Sequence, residues 1–177
     1  MWHNIDVGGW PVAVRSAELA RGTLVACGPG VRLVSWPETA EARAYAATQA
    51  IGDQLMPVMM AAAWVWGCAR DPGLPFLCST RGRARPKLQY SPELHVHEYR
   101  YAGSDLEACG EVTLPSPART ACDLVRLSAE LSATTVITIR LLLLRAGLSR
   151  EEWRHELMRG PGRSRVRALQ RLEELSS

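Results

Sequence analysis

Lysine is almost absent from this sequence. Lys87 is the only lysine, so 20 of the 21 basic residues are arginine. A bias of this kind is typical of a GC-rich coding sequence and does not by itself indicate phosphate recognition. The net charge of +3 is also too small to imply a nucleic-acid partner on its own. Any case for such a partner must therefore rest on where the arginines lie.

The sequence also lacks paired cysteines and long hydrophobic runs. It has no C-x-x-C motif and no histidines at zinc-finger spacing, which argues against a disulfide framework and against structural zinc. We expect five reduced, mostly buried thiols: Cys27, Cys68, Cys78, Cys109 and Cys122. The longest apolar run, residues 136–144, is broken by Arg140 and is far shorter than the roughly 20 residues of a membrane span. With no leader at the N-terminus, we expect a cytoplasmic protein without a membrane role.

Catalytic motifs are missing as well. There is no G-x-S-x-G elbow and no glycine-rich nucleotide loop, and no cysteine has a neighbour that suggests a nucleophile. His95 and His97 share one face of a predicted strand and Glu98 follows, but a third and a fourth metal ligand are lacking. We therefore expect half-exposed strand histidines, no metal, no cofactor and no enzymatic activity.

The most informative segment is residues 114–127, LPSPARTACDLVRL. Ser116 can accept hydrogen bonds from the first free amides of a helix, and Pro117 suits the first helical position, so a helix is expected to start here. An apolar stripe at helical spacing predicts the face that packs in the core: Ala118, Ala121, Cys122 and Val125.

Turn and cap signals divide the rest of the chain into an α+β pattern, a small mixed sheet packed with several helices. A short hairpin is predicted around Gly28-Pro29-Gly30, after a single helical turn from Ser16 to Leu19. Ser35 and Glu38 have the spacing of a capping box, and Pro57 is expected to open a buried helix.

The predicted helices and strands follow from these signals. The helices are expected at 35–51, 57–67, 117–130, 132–146, 150–158 and 164–175, and the strands at 74–79, 94–101 and 111–114. Gly147 is predicted to end one helix, and Ser149 with Glu152 to start the next as a second capping box.

Three regions follow from this pattern. Residues 1–35 form a short N-terminal hairpin segment, residues 36–158 the core domain, and residues 159–177 an arginine-rich C-terminal helix. The linker-like Gly160-Pro161-Gly162 separates the last two.

Arg119, Thr120 and Asp123 allow two interpretations. They could line a small anion pocket at a helix start. Alternatively, Arg119 pairs with Asp123 four residues on and Thr120 bonds the preceding loop, which is the commoner, structural use. In that case Arg119 ties the loop of residues 111–116 to the helix.

Two basic segments are the candidates for contact with DNA. One is the loop between two predicted strands, where several guanidinium groups could reach one phosphate track. The other is the start of the last helix, for which two alternatives exist: a solvated basic surface, or pairing between subunits with Glu173 and Glu174. The predicted DNA-binding residues are Arg81, Arg83, Arg85, Lys87, Arg163, Arg165, Arg167 and Arg171.

The segment around Arg119, Thr120, Asp123 and Leu124 resembles the Thr-Ser-x-x-Arg-Thr-x-x-Asp-Leu motif of the AbiEi-type antitoxins, regulators of type IV toxin–antitoxin systems. Weaker likeness extends over the hairpin at residues 24–35, the helix end at 59–68 and the last helices. The resemblance implies a non-catalytic regulator in a toxin–antitoxin or phage-defence system, with a nucleotidyltransferase-type toxin as its cognate partner. It implies that Arg119, Thr120 and Asp123 matter.

The sequence departs from that family in two ways. Its actinobacterial relatives begin with a winged helix-turn-helix, whereas only about twenty residues precede the hairpin here, too few for a recognition helix and its supporting helices. Some relatives carry a Vsr-like endonuclease domain, which would begin where this chain ends. Such an endonuclease needs carboxylates and a lysine that together hold its metal, and this sequence has no such pattern around Lys87, its only lysine.

Three functions are therefore compared. The first is an antitoxin-like or regulator-like protein that contacts DNA through its arginine clusters. The second is a scaffold module that holds a protein partner on exposed apolar surface such as Trp64, Trp66 or Trp153. The third is an enzyme, either a remnant of the endonuclease fusions or a small-anion enzyme centred on Arg119. We favour the first.

Overall fold

The computed structural model describes residues 6–81, 93–159 and 162–174. It confirms an α+β fold, in which seven helices pack around three small sheets within the described residues. The helices are α1 (Val12–Arg21), α2 (Ala40–Ile51), α3 (Met59–Val65), α4 (Pro117–Leu127), α5 (Ala133–Ala146), α6 (Arg150–Met158) and α7 (Gly162–Glu174). The strands are β1 (Leu24–Cys27), β2 (Gly30–Leu33), β3 (Leu55–Pro57), β4 (Phe76–Thr80), β5 (Leu94–His97), β6 (Leu106–Cys109) and β7 (Val112–Pro115).

The N-terminal hairpin is confirmed, but the single helical turn predicted before it is wrong. Strands β1 and β2 pair antiparallel around Gly28, whose φ of 55° suits a glycine. The preceding α1 is a full helix of 10 residues with no buried side chain. A helix this short is marginal in isolation, so its contacts with β1 and the C-terminal Gly22 cap support it.

The start predicted for α2 is also wrong. Thr39, not Ser35, caps the helix by accepting a hydrogen bond from the amide of Ala42 at 3.2 Å. Glu38 does not complete a capping box; its carboxylate pairs with Arg43 at 2.8 Å and with Arg32 at 3.5 Å. These ion pairs join the hairpin to α2.

The central sheet is mixed, with strand order β3-β4-β5. Strand β3 runs antiparallel to β4, and β5 runs parallel to β4 with Leu77 opposite His95. Pro57 was expected to open a helix but ends β3, and α3 begins at Met59. A second two-stranded antiparallel sheet, β6 and β7, turns at Gly110.

The main core lies between this central sheet and helices α2 to α6, and α7 contributes Ala168 and Leu172. The predicted stripe of α4 faces it: Ala121, Cys122 and Val125 are buried and Ala118 is half-buried. All five cysteines are free and buried, as expected. A second, smaller cluster of Val7, Leu24 and Leu33 lies under the hairpin.

The predicted caps of the later helices are confirmed. Ser116 accepts a hydrogen bond from the amide of Arg119, and Pro117 occupies the first turn. Ser149 and Glu152 form the capping box of α6. Gly147 ends α5 in the left-handed conformation, with a φ of 64°. In the ranges that the structure describes, no helix combines the length and apolar character needed to cross a bilayer.

Candidate nucleic-acid interface

Arg119 is the centre of a largely buried charge network. Its Nε donates to Asp123 Oδ1 at 2.8 Å and its Nη1 to Asp105 Oδ2 at 2.6 Å. Its guanidinium also lies 4.7 Å from the ring centroid of Tyr101, whose hydroxyl donates to Asp123 Oδ2 at 3.2 Å. The Arg119–Asp123 pair predicted from the spacing is therefore present, within a larger set.

The segment that Arg119 holds differs from the predicted one. Its partners Asp105 and the carbonyl of Arg100 lie before β6, not in residues 111–116. Thr120 makes the predicted bond to the preceding loop by donating to the carbonyl of Pro115 at 3.1 Å. Trp66 Nε1 donates to the same carbonyl at 2.8 Å.

The electrostatics of the network follow from its burial. Burial raises the pKa of Asp123, and the charge of Arg119 opposes that shift. Burial would lower the pKa of Arg119, but the attraction of Asp123 and Asp105 outweighs it, so that pKa is raised. Burial also raises the pKa of Tyr101, which remains a neutral donor to Asp123. These groups satisfy one another, which is the arrangement of a structural network.

Two of the predicted DNA-binding arginines, the buried Arg171 and the exposed Arg167, bond backbone carbonyls at or just beyond the end of α4. Arg171 is buried, and its guanidinium donates to the carbonyls of Val125, Ser128 and Ala129 at 2.8–2.9 Å. Arg167 donates to the same Ala129 carbonyl at 2.8 Å. The last carbonyls of a helix lack partners within it, so Arg171 caps the C-terminal end of α4, whereas Arg167 bonds the chain just after that end. The prediction that Arg171 contacts DNA is wrong.

Sequence reasoning missed Arg126, which has a similar structural role. It is buried and donates to the carbonyls of Glu156 and Leu157 at 2.8 and 2.7 Å, tying α4 to α6. Its place beside the apolar stripe of α4 was the only signal in the sequence.

Among the remaining predicted DNA-binding residues, only Arg81 has a described side chain. It is exposed, and its Nε donates to the carbonyl of Leu55 at 3.0 Å. Arg83, Arg85 and Lys87 lie outside the described residues. Arg163 and Arg165 belong to the first turn of α7, and their side chains lie outside the described part of the structure.

A polar groove opens at the carboxyl ends of β4 and β5. Because these strands are parallel, both end at the same edge of the sheet, where Arg81 and Glu98 follow them. The groove has a volume of about 1030 Å³. Its lining consists of Met56, Thr80, Arg81, Glu98, Tyr99, Arg100, Tyr101, Leu106 and Thr113. Two exposed arginines thus share one groove with two tyrosines. Ligands often bind at this edge of parallel strands.

Aromatic rings extend from the groove along β5. The predicted shared face of His95 and His97 is confirmed, since their rings stack with centroids 4.6 Å apart and planes 14° apart. The ring of His97 stacks in turn on Tyr99 at 5.0 Å and 10°. Burial, and then the charge of His95, lowers the pKa of His97. Over the described ranges, no three His, Cys, Asp or Glu side chains are grouped to hold a metal ion.

The tryptophans proposed as a protein-binding surface are buried, so that prediction is wrong. Trp64, Trp66 and Trp153 are at most 5% exposed and belong to the core. Exposed aliphatic side chains lie instead on the outer face of α5, where Ile137, Leu141 and Leu144 follow one another at helical spacing.

Comparisons of this chain with protein-family models, with curated proteins and with solved structures find no match. The resemblance to AbiEi-type antitoxins therefore stays a prediction.

Proposed function

We propose that this protein is a non-catalytic regulator that binds nucleic acid through the groove at the carboxyl ends of β4 and β5. The observation that supports this function is the presence of two exposed arginines, Arg81 and Arg100, beside Tyr99 in one groove. Guanidinium groups recognise phosphate oxygens with two parallel hydrogen bonds, and an aromatic ring beside them offers a surface for a sugar or a base.

The charges around the groove support phosphate binding over base readout. Arg119 does not line the groove, and Asp105 and Asp123 already bind its Nη1 and Nε. Glu98 also lines the groove and opposes the two arginines, so a moderate affinity that depends strongly on salt is expected.

The biological setting that we propose is a type IV toxin–antitoxin or phage-defence system, with a nucleotidyltransferase-type toxin as the cognate partner. Its support is the resemblance around Arg119, Thr120 and Asp123 alone. Co-expression with a toxin gene of that type from the same locus tests it. Growth of the host should recover when this protein is present, and unrelieved growth arrest would contradict the assignment.

Fluorescence anisotropy with a labelled generic DNA duplex tests the binding function. At about 50 mM salt the wild type should bind, and the affinity should fall steeply as salt approaches about 200 mM. The double variant Arg81→Ala/Arg100→Ala should bind about tenfold more weakly at low salt, with a shallower salt dependence, because two phosphate contacts are lost.

The matched control is Arg21→Ala/Arg70→Ala, which removes the same charge from exposed positions outside the groove. It should bind as the wild type does. Thermal melts should show that the wild type and both double variants are folded. If loss of the Arg81–Leu55 hydrogen bond unfolds the Arg81→Ala/Arg100→Ala variant, the single variant Arg100→Ala should still bind more weakly than the wild type. Absence of binding at tens of micromolar protein, or equal losses in the two double variants, would overturn the proposed function.

A further inference from the structure

The ring of His95 ends a continuous stack. His95, His97 and Tyr99 occupy alternate residues of one chain segment, and their planes are within 14° of one another at each step. Tyr101 meets Tyr99 edge-on, with ring centroids 6.3 Å apart and planes at 85°, so the parallel stacking ends there. We call His95, His97 and Tyr99 the ring ladder. Its inner end lies in the groove, and its outer end is the exposed His95.

The outer end of the ring ladder is open on the described surface. His97 covers one face of the His95 ring, and within residues 6–81, 93–159 and 162–174 no other aromatic ring stacks on His95. In the same ranges β4 is the only strand paired with β5, so β5 lies at the edge of its sheet. His95 is exposed, so a planar aromatic group can approach this residue from solvent.

We propose that the ring ladder is a stacking platform for an unpaired nucleobase, and that the ligand of the groove is single-stranded nucleic acid. This inference rests on the proposed function and names its ligand. A base that stacks on His95 leaves its sugar–phosphate chain to run along β5 toward Arg81 and Arg100. The distance from His95 to Tyr99 along an extended segment is about 13 Å, which a short stretch of single strand can follow.

Duplex DNA cannot use this platform. Each base in a duplex is covered on both faces by its neighbours, so only an unpaired base offers a face to a protein ring. Arginines beside such rings bind the backbone, which is the combination found in single-strand binding grooves. Burial, and then His95, lowers the pKa of His97, which favours the neutral form of this ring inside the stack.

The test uses the full chain and four fluorescent probes of equal length: an oligothymidylate, an oligouridylate, a duplex and an abasic single strand. The wild type should bind the oligothymidylate and the oligouridylate about tenfold more tightly than the abasic strand or the duplex, because only these two offer unpaired bases. A difference between the oligothymidylate and the oligouridylate would distinguish DNA from RNA as the source of the strand.

Three variants place the effect on the ring ladder. His95→Ala should lose about tenfold in affinity for the oligothymidylate and nothing for the abasic strand. His95→Tyr should restore the affinity, since it keeps a ring at the end of the stack. The control His155→Ala removes an exposed histidine of α6 and should bind as the wild type does.

The outcomes separate this inference from the proposed function. Equal binding of duplex, abasic and base-carrying strands, unchanged in His95→Ala, would overturn the ring ladder as a platform and leave phosphate binding by the groove intact. Binding of no probe at all would overturn both. Loss of affinity in His95→Ala toward every probe alike would assign His95 an electrostatic role and also overturn the inference.

Discussion

At the scale of single residues, the motif that is most distinctive in the sequence is satisfied internally. Arg119 meets two carboxylates, a carbonyl and a ring, while Asp123 is 2% exposed and is bonded by Arg119 and Tyr101. Spacing alone indicated the Arg119–Asp123 pair, because residues four apart are neighbours on a helix. Asp105 and Tyr101 come from another segment of the chain, and no sequence pattern indicated their part in this network.

Removing either partner of this pair should destabilise the protein. Arg119→Ala should reduce the free energy of unfolding by about 1–3 kcal/mol. The loss should lie at the upper end of this range, because the buried Asp123 carboxylate is left without its cation. Asp123→Ala should also cost about 1–3 kcal/mol, and the double variant less than the sum because the two side chains share one network. Urea denaturation of the four proteins measures these differences.

An anion site would give the opposite pattern. Truncation of Arg119 would then leave the melting temperature unchanged or raised, and inorganic phosphate would stabilise the wild type but not Arg119→Ala. Melts with and without phosphate therefore distinguish the two interpretations of the motif.

At the scale of elements, local signals located most helices and several strands. The caps Ser116, Gly147 and Ser149 act over three or four residues, so the sequence predicts them well. Strands β3 and β6 were missed. Strand β3 has three residues and exists because it pairs with β4 more than twenty positions away, which no local pattern reports. The Ser35 capping box failed because Glu38 has nearby arginines to bind.

Helix α4 ends where Arg171 of α7 meets it, so this arginine should matter for stability and not for nucleic-acid affinity. Arg171→Ala removes charged hydrogen bonds to three carbonyls and should lower the free energy of unfolding by about 2–3 kcal/mol. The control Arg154→Ala removes an exposed arginine of α6 and should change it by less than about 0.5 kcal/mol. Denaturant titration measures both. Equal small effects would show that α7 does not cap α4.

At the scale of the whole molecule, one main core joins the central sheet to helices from both halves of the chain. The apolar stripe of α4 was predicted to face it and does. The sequence did not distinguish the exposed face of α5 from its buried face, because α5 is apolar on most sides. Only the packing shows that Ile139 and Leu142 are buried whereas Leu144 is 79% exposed.

The same substitution at two apolar positions tests this arrangement. Val125→Asp should unfold the protein or abolish soluble expression, because a buried unpaired carboxylate costs several kcal/mol, about the whole stability of a domain. Leu144→Asp should change the free energy of unfolding by less than about 0.5 kcal/mol. Thermal melts and soluble yield compare them. A stable Val125→Asp variant would place the core on another face of α4.

The sequence by itself determined the class of fold, the starts of α4, α5 and α6, and the face of α4 that is buried. These features depend on hydrogen bonds and periodicities within one or two helical turns, which the order of residues specifies directly. Only the tertiary structure decided which arginines serve the fold and which line a groove. Arg171 donates to the carbonyl of Val125, which lies 46 positions earlier in the chain. Arg81 and Arg100 share a groove because β4 and β5 run parallel. The partner of a charge depends on which distant segments packing brings together, and a run of arginines in the sequence does not contain that information.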